Sequence, residues 1–96
     1  MADWTSRGDL EKHFRQHRRE LGVSTIEEYD ESARETIAAG TYFEYRDLQT
    51  HDWHVGYYDR STRRFVALSA DEFVILTHFR CPERYVARSL RGSTYE

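Results

Sequence analysis

At 96 residues, 39% hydrophobic and 15% aromatic against 32% charged, the chain is long enough for one small domain with a modest core. The net charge of −3 does not advertise a nucleic-acid binder, and no apolar run is long enough to span a membrane or to form a signal-peptide core. The single Cys81 excludes an internal disulfide and fits a reducing cytoplasm, the expected location.

The first helix is expected over about Asp9 to Leu21. Leu10, Phe14, His17 and Leu21 recur at helical spacing, and Gly22 stands where a left-handed terminating residue is wanted. Arg18 and Arg19 suit the negative end of its dipole. The second helix opens on Ser24 and Glu27, a capping-box spacing, and carries the apolar stripe Ile26, Tyr29, Ala33 and Ile37 before Gly40 ends it. Glu27, Glu28, Asp30, Glu31 and Glu35 give it a carboxylate-rich surface. Residues 23–52 hold eight acidic and two basic groups, so most of the negative charge gathers there.

From Thr41 the period changes to two. Strands are predicted at about 42–46, 53–58, 64–68 and 73–79, with turns at Asp59–Arg63 and Ser69–Glu72. Short connections favour an antiparallel meander. The expected fold is therefore α+β, with two N-terminal helices packed on a four-stranded antiparallel β-sheet. In this reading residues 1–96 form a single domain: helical over 9–40, sheet over 41–80 and a C-terminal tail over 81–96. The segment RYVARSL within that tail reads equally as a short helix or an edge strand.

Candidate chemistry begins with His13 and His17, which project from one helix face and are the residue type whose charge changes near neutral pH. The pair has three readings. His17 can be a hydrogen-bonded residue of the apolar stripe, with His13 a solvated group. The two can be metal ligands, but Phe14 stands where the zinc-protease motif has Glu, and no spacing selects a partner among His51, His54 and His78. Or they can act as general acid and base. In the last strand, alternation places Phe73, Ile75, Thr77 and Phe79 on one face and Val74, Leu76 and His78 on the other. Thr77 then interrupts an apolar row and offers a hydroxyl beneath the first helix. Arg46, in YFEYRD, is either a solvated strand-end charge or a phosphate clamp. Trp53, His54, Tyr57 and Tyr58 can stack on a base or simply form core.

His13-x-x-x-His17, Glu20-Leu21-Gly22, Tyr29, Arg46, Thr77-x-Phe79 and Pro82 before Tyr85 together resemble small bacterial and phage-associated proteins of the ribonuclease-toxin group. That group gathers barnase, EndoU-type, colicin-type and RelE-type nucleases, and the resemblance covers roughly residues 10–85. It implies N-terminal helices followed by a four-stranded antiparallel sheet, and RNA cleavage without metal or other cofactor through attack of the neighbouring 2′-hydroxyl. It makes His13 and His17 the acid and base, Arg46 the stabiliser of phosphorane charge, and Thr77 a partner of the phosphate or of the imidazole. Tyr57, His78 and Arg80 become the substrate-binding residues. The implied partners are RNA (tRNA or mRNA) and a protein antitoxin, with no membrane. The acidic balance and the single lysine, Lys12, depart from the basic character of that group. A non-catalytic binding or adaptor protein of the same fold is the alternative.

Overall fold

Helix α1 spans Arg7–Leu21 in the computed structural model, which describes residues 2–89. It starts before the expected Asp9 because Ser6 caps it, the hydroxyl accepting the Asp9 N–H at 3.0 Å. Gly22 terminates it at φ 68, a left-handed conformation that side-chain-bearing residues adopt only with strain. Helix α2 spans Ile26–Ala39, and its capping box lies one residue later than predicted. Thr25 Oγ1 accepts the Glu28 N–H at 3.1 Å, while the Glu28 carboxylate accepts the Thr25 N–H at 3.0 Å. Ser24 and Thr25 offer the motif in two overlapping frames, and the backbone selects the second.

Strands β1 (Asp3–Trp4), β2 (Thr41–Arg46), β3 (Trp53–Asp59), β4 (Arg64–Ser69) and β5 (Val74–Arg80) form one sheet in the order β1-β5-β4-β3-β2. The last four are the expected antiparallel meander. The fifth strand makes the sheet mixed, because β1 pairs parallel to β5 with Trp4 beside Ile75. Two residues carry no readable period, so nothing in the composition of Asp3–Trp4 announced a strand. What holds it is side-chain anchoring: the Trp4 indole N–H donates to Asp30 of α2 at 2.8 Å, and its ring stacks on Tyr29 at 5.6 Å.

The segment RYVARSL resolves as helical: α3 spans Glu83–Ser89, and residues 90–96 of the predicted tail lie outside the described residues. Helices therefore cover both sheet faces, not one. On the first face Tyr29 and Ala33 of α2 meet Val55, Val66, Leu68 and Ile75. On the second, Val86 of α3 is buried against Phe43, Tyr45, Tyr58 and Phe65. Covering both faces explains why β4 buries four consecutive residues, Phe65 to Leu68.

The simple alternation expected in β5 fails. Ala67 pairs with Thr77 and Leu68 with Ile75, so Leu76 is the extra residue of a β-bulge. Ile75 and His78 consequently share the α2 face, while Leu76 and Phe79 pack into the cluster on the other.

Candidate functional site

A sheet edge leaves strand N–H and C=O groups without a neighbour, and β1 covers β5 only at Val74 and Ile75. Beyond those residues α1 lies along the edge. Four helical residues advance about 6 Å and two strand residues about 6.6 Å, so the two elements stay in step. His13 accordingly meets Thr77, with Nδ1 3.4 Å from Oγ1. His17 meets Phe79, with ring centroids 5.5 Å apart. Glu20 meets Arg80, its carboxylate accepting the backbone N–H at 3.0 Å.

The imidazoles lie 6.2 Å apart with planes inclined by only 13°. Their side chains are 16% and 22% exposed, so each is largely shielded yet open to solvent at one edge. His13 Nε2 lies 3.6 Å from an Asp9 carboxylate oxygen, and its ring rests 5.8 Å from Trp4. Burial lowers the His13 pKa below its usual 6.5, Asp9 opposing that shift while His17 and Lys12 reinforce it. The neutral ring, able to accept a proton, is thus favoured near pH 7. His17 Nδ1 lies 3.0 Å from Glu20 Oε1, so one carboxylate serves both the imidazole and the strand edge.

Next to His17, Phe79 makes an edge-to-face pair with Tyr85 of α3 at 5.9 Å, and Tyr85 is 40% exposed. Asp9, Glu20 and Tyr85 were not among the candidate site residues. Asp9 and Glu20 stand at helical spacing from His13 and His17, a signal that was present; Tyr85 required knowing where α3 lies.

The other candidates fall elsewhere. Arg46 ends β2, the outermost strand, with β4 and β3 between it and β5, and its Nε donates to the His51 carbonyl at 3.1 Å. A meander puts its first and last strands at opposite sides, here roughly 14 Å apart at about 4.8 Å per strand, so Arg46 does not join the histidines. Tyr57 lies on β3, where its hydroxyl donates to Glu72 at 2.7 Å. His78 is fully buried and cannot touch a substrate. Its Nδ1–H donates to the Phe65 carbonyl and Nε2 faces the Ser32 hydroxyl, each at 2.9 Å, while burial pushes its pKa down to about 4. Its place is structural, tying β5 to α2 and β4. Arg80 is exposed at the His17 end of the cluster and remains a candidate.

Among the described residues, no three His, Cys, Asp or Glu side chains gather as a metal site, and no helix is long and apolar enough to cross a membrane. No family model, curated relative or solved structure matches the chain.

Proposed function

We propose that the protein is a toxin-type endoribonuclease that cleaves RNA without metal, acting in the cytoplasm under the control of a protein antitoxin. The supporting observation is the juxtaposition of two near-parallel imidazoles with the Thr77 hydroxyl at the β5 edge. His13, kept neutral by burial, takes the 2′-OH proton as O2′ bonds to phosphorus. His17, oriented by Glu20, donates a proton to the departing O5′. The products are a 2′,3′-cyclic phosphate and a free 5′-hydroxyl. Thr77 orients His13 or holds a phosphate oxygen, and Arg80 takes over from Arg46 the task of stabilising charge on the phosphorane. Tyr85 supplies a face on which a base can stack.

The test is incubation of purified protein with total RNA in the presence of a chelator. Cleavage is expected, with His13→Ala and His17→Ala each slower by about 10²- to 10⁴-fold. Absence of cleavage over a wide protein range, or equal cleavage by both variants, overturns the reading. A non-catalytic binding or adaptor protein is the second reading. It is favoured by exposed Tyr42, Leu48 and Trp53, at 47%, 53% and 49%, around the far side of the sheet. It expects partner capture without RNA cleavage.

A further inference from the structure

The arginines near the two ends of the sheet differ in how they are engaged. Arg7, Arg34 and Arg60 are in ion pairs, with Glu11 and Glu27, with Asp3 and Asp30, and with Glu83 respectively. Arg63, Arg80 and Arg84 are exposed and have no ion-pair partner among the described residues. The backbones of all three lie close together, but Arg80, like His78 and its cross-strand partner Arg64, turns to the α2 face, which leaves Arg63 and Arg84 on the α3 side. The Cys81 N–H donates to the Arg63 carbonyl at 2.9 Å, which sets the β3–β4 turn beside the end of β5. Arg80 is the residue before Cys81, and Arg84 follows Pro82 at the start of α3.

Tyr58, Arg60, Arg63, Pro82, Glu83 and Arg84 line a cavity of about 350 Å³ at this place. Glu83, the only carboxylate in that lining, is engaged with Arg60 at 3.0 Å, so the positive charge of Arg63 and Arg84 is not offset there. Arg64 and Arg80 stand opposite each other on the other sheet face, where Arg64 lines a pocket with Glu28, Glu31 and Glu35 of α2. The surface is continuous with the histidine cluster, since His17 touches Phe79, Phe79 touches Tyr85, and Tyr85 adjoins Arg84. Positive charge beside a stackable ring is what single-stranded nucleic acid requires, because phosphates need cations and unpaired bases need a π-face.

We infer that Arg63 and Arg84, with Tyr85, form the binding surface for single-stranded RNA, holding its phosphates on the α3 side of the histidine pair. This rests on the ribonuclease reading for the identity of the strand. It also reconciles the proposal with an acidic chain: the carboxylate-rich α2 packs on the sheet face opposite α3.

The test uses the full chain and a short, fluorescein-labelled 2′-O-methyl RNA, which cannot be cleaved, read by anisotropy at fixed low salt. Arg63→Gln/Arg84→Gln should bind at least tenfold more weakly, and the slope of log affinity against log salt should fall by about 1.4, near 0.7 per lost phosphate contact. Tyr85→Ala should weaken binding, and Tyr85→Phe should restore it. Circular dichroism verifies that each variant is folded. Equal binding by the double variant overturns the inference, as does equally tight binding of the same sequence as a duplex, of heparin, or of anionic vesicles. If the double variant binds as wild type while wild type cleaves RNA, the surface is wrong and the catalytic reading stands. If the expected losses occur but nothing is cleaved, the surface stands and the catalytic reading falls.

Discussion

Glu20 on α1 accepts the backbone N–H of Arg80 on β5, sixty residues later in the chain, at 3.0 Å. The same carboxylate lies 3.0 Å from His17 Nδ1. Closing the sheet edge and orienting an imidazole are thus one interaction, which couples the stability of the α1–β5 contact to the geometry of the candidate site.

Glu20→Ala should cost about 1 kcal/mol, because it removes a charge-assisted bond that is partly solvated. Glu20→Gln should cost less, since the amide oxygen still accepts the Arg80 N–H. Urea denaturation of both variants measures the order. On the ribonuclease reading, cleavage should fall in both, because neither holds His17 as a carboxylate does.

His78 predicts a loss of stability in mild acid. Its folded pKa of about 4 lies below the ordinary 6.5, so between these values the unfolded chain binds a proton that the folded chain does not. The stabilisation is complete above pH 6.5, declines as pH falls toward 4, and changes no further below that. The total is on the order of 3 kcal/mol, from 1.36 kcal/mol per pKa unit. Urea titrations across this range should show the slope in wild type, and His78→Gln should flatten it.

On the ribonuclease reading, the proposed general base is His13. Burial depresses its pKa, so the acid limb of the kcat/KM profile for RNA cleavage should lie below pH 6.5. Asp9 raises the same pKa, and Asp9→Asn should therefore move that limb to still lower pH. NMR titration of the His13 ring checks the shift independently of activity. An unchanged His13 midpoint in Asp9→Asn would remove Asp9 from the account.

On the same reading, Arg46→Ala should leave both RNA cleavage and binding unchanged, because Arg46 sits on β2 and bonds the 47–52 loop through the His51 carbonyl. Arg80→Ala should reduce cleavage. The reverse order in a cleavage assay would return the phosphate clamp to Arg46 and dismantle the site described here.

Gly56 on β3 leaves no room for a side chain. An added Cβ would overlap the Phe43 ring, with Cε1 at 2.8 Å and Cε2 at 2.9 Å. Overpacking of this kind costs about 1–3 kcal/mol, and Phe43→Leu should recover part of it. Thermal unfolding of the single and double variants is the measurement.

Helix and strand placement were legible because each rests on contacts within a few residues. Gly22 ends α1 as a left-handed residue, and the four strands of the meander fall within a residue or two of the spans expected from their period. The frame of the α2 cap was ambiguous because Ser24 and Thr25 are chemically equivalent caps. The alternation of β5 misled at Leu76, since a bulge is decided by pairing with β4 and leaves no mark in a run of apolar residues.

Sequence alone determined the α+β class, the helical histidine pair and the last strand of the meander, which carries Thr77, because periodicity, caps and turns are local properties. Only the tertiary structure decided that Thr77 meets His13, that His78 is sealed in the core, and that Arg46 stands across the sheet from both. Those outcomes depend on strand order and on which edge α1 covers, and both are set by burial summed over the whole chain, which no short stretch of residues encodes.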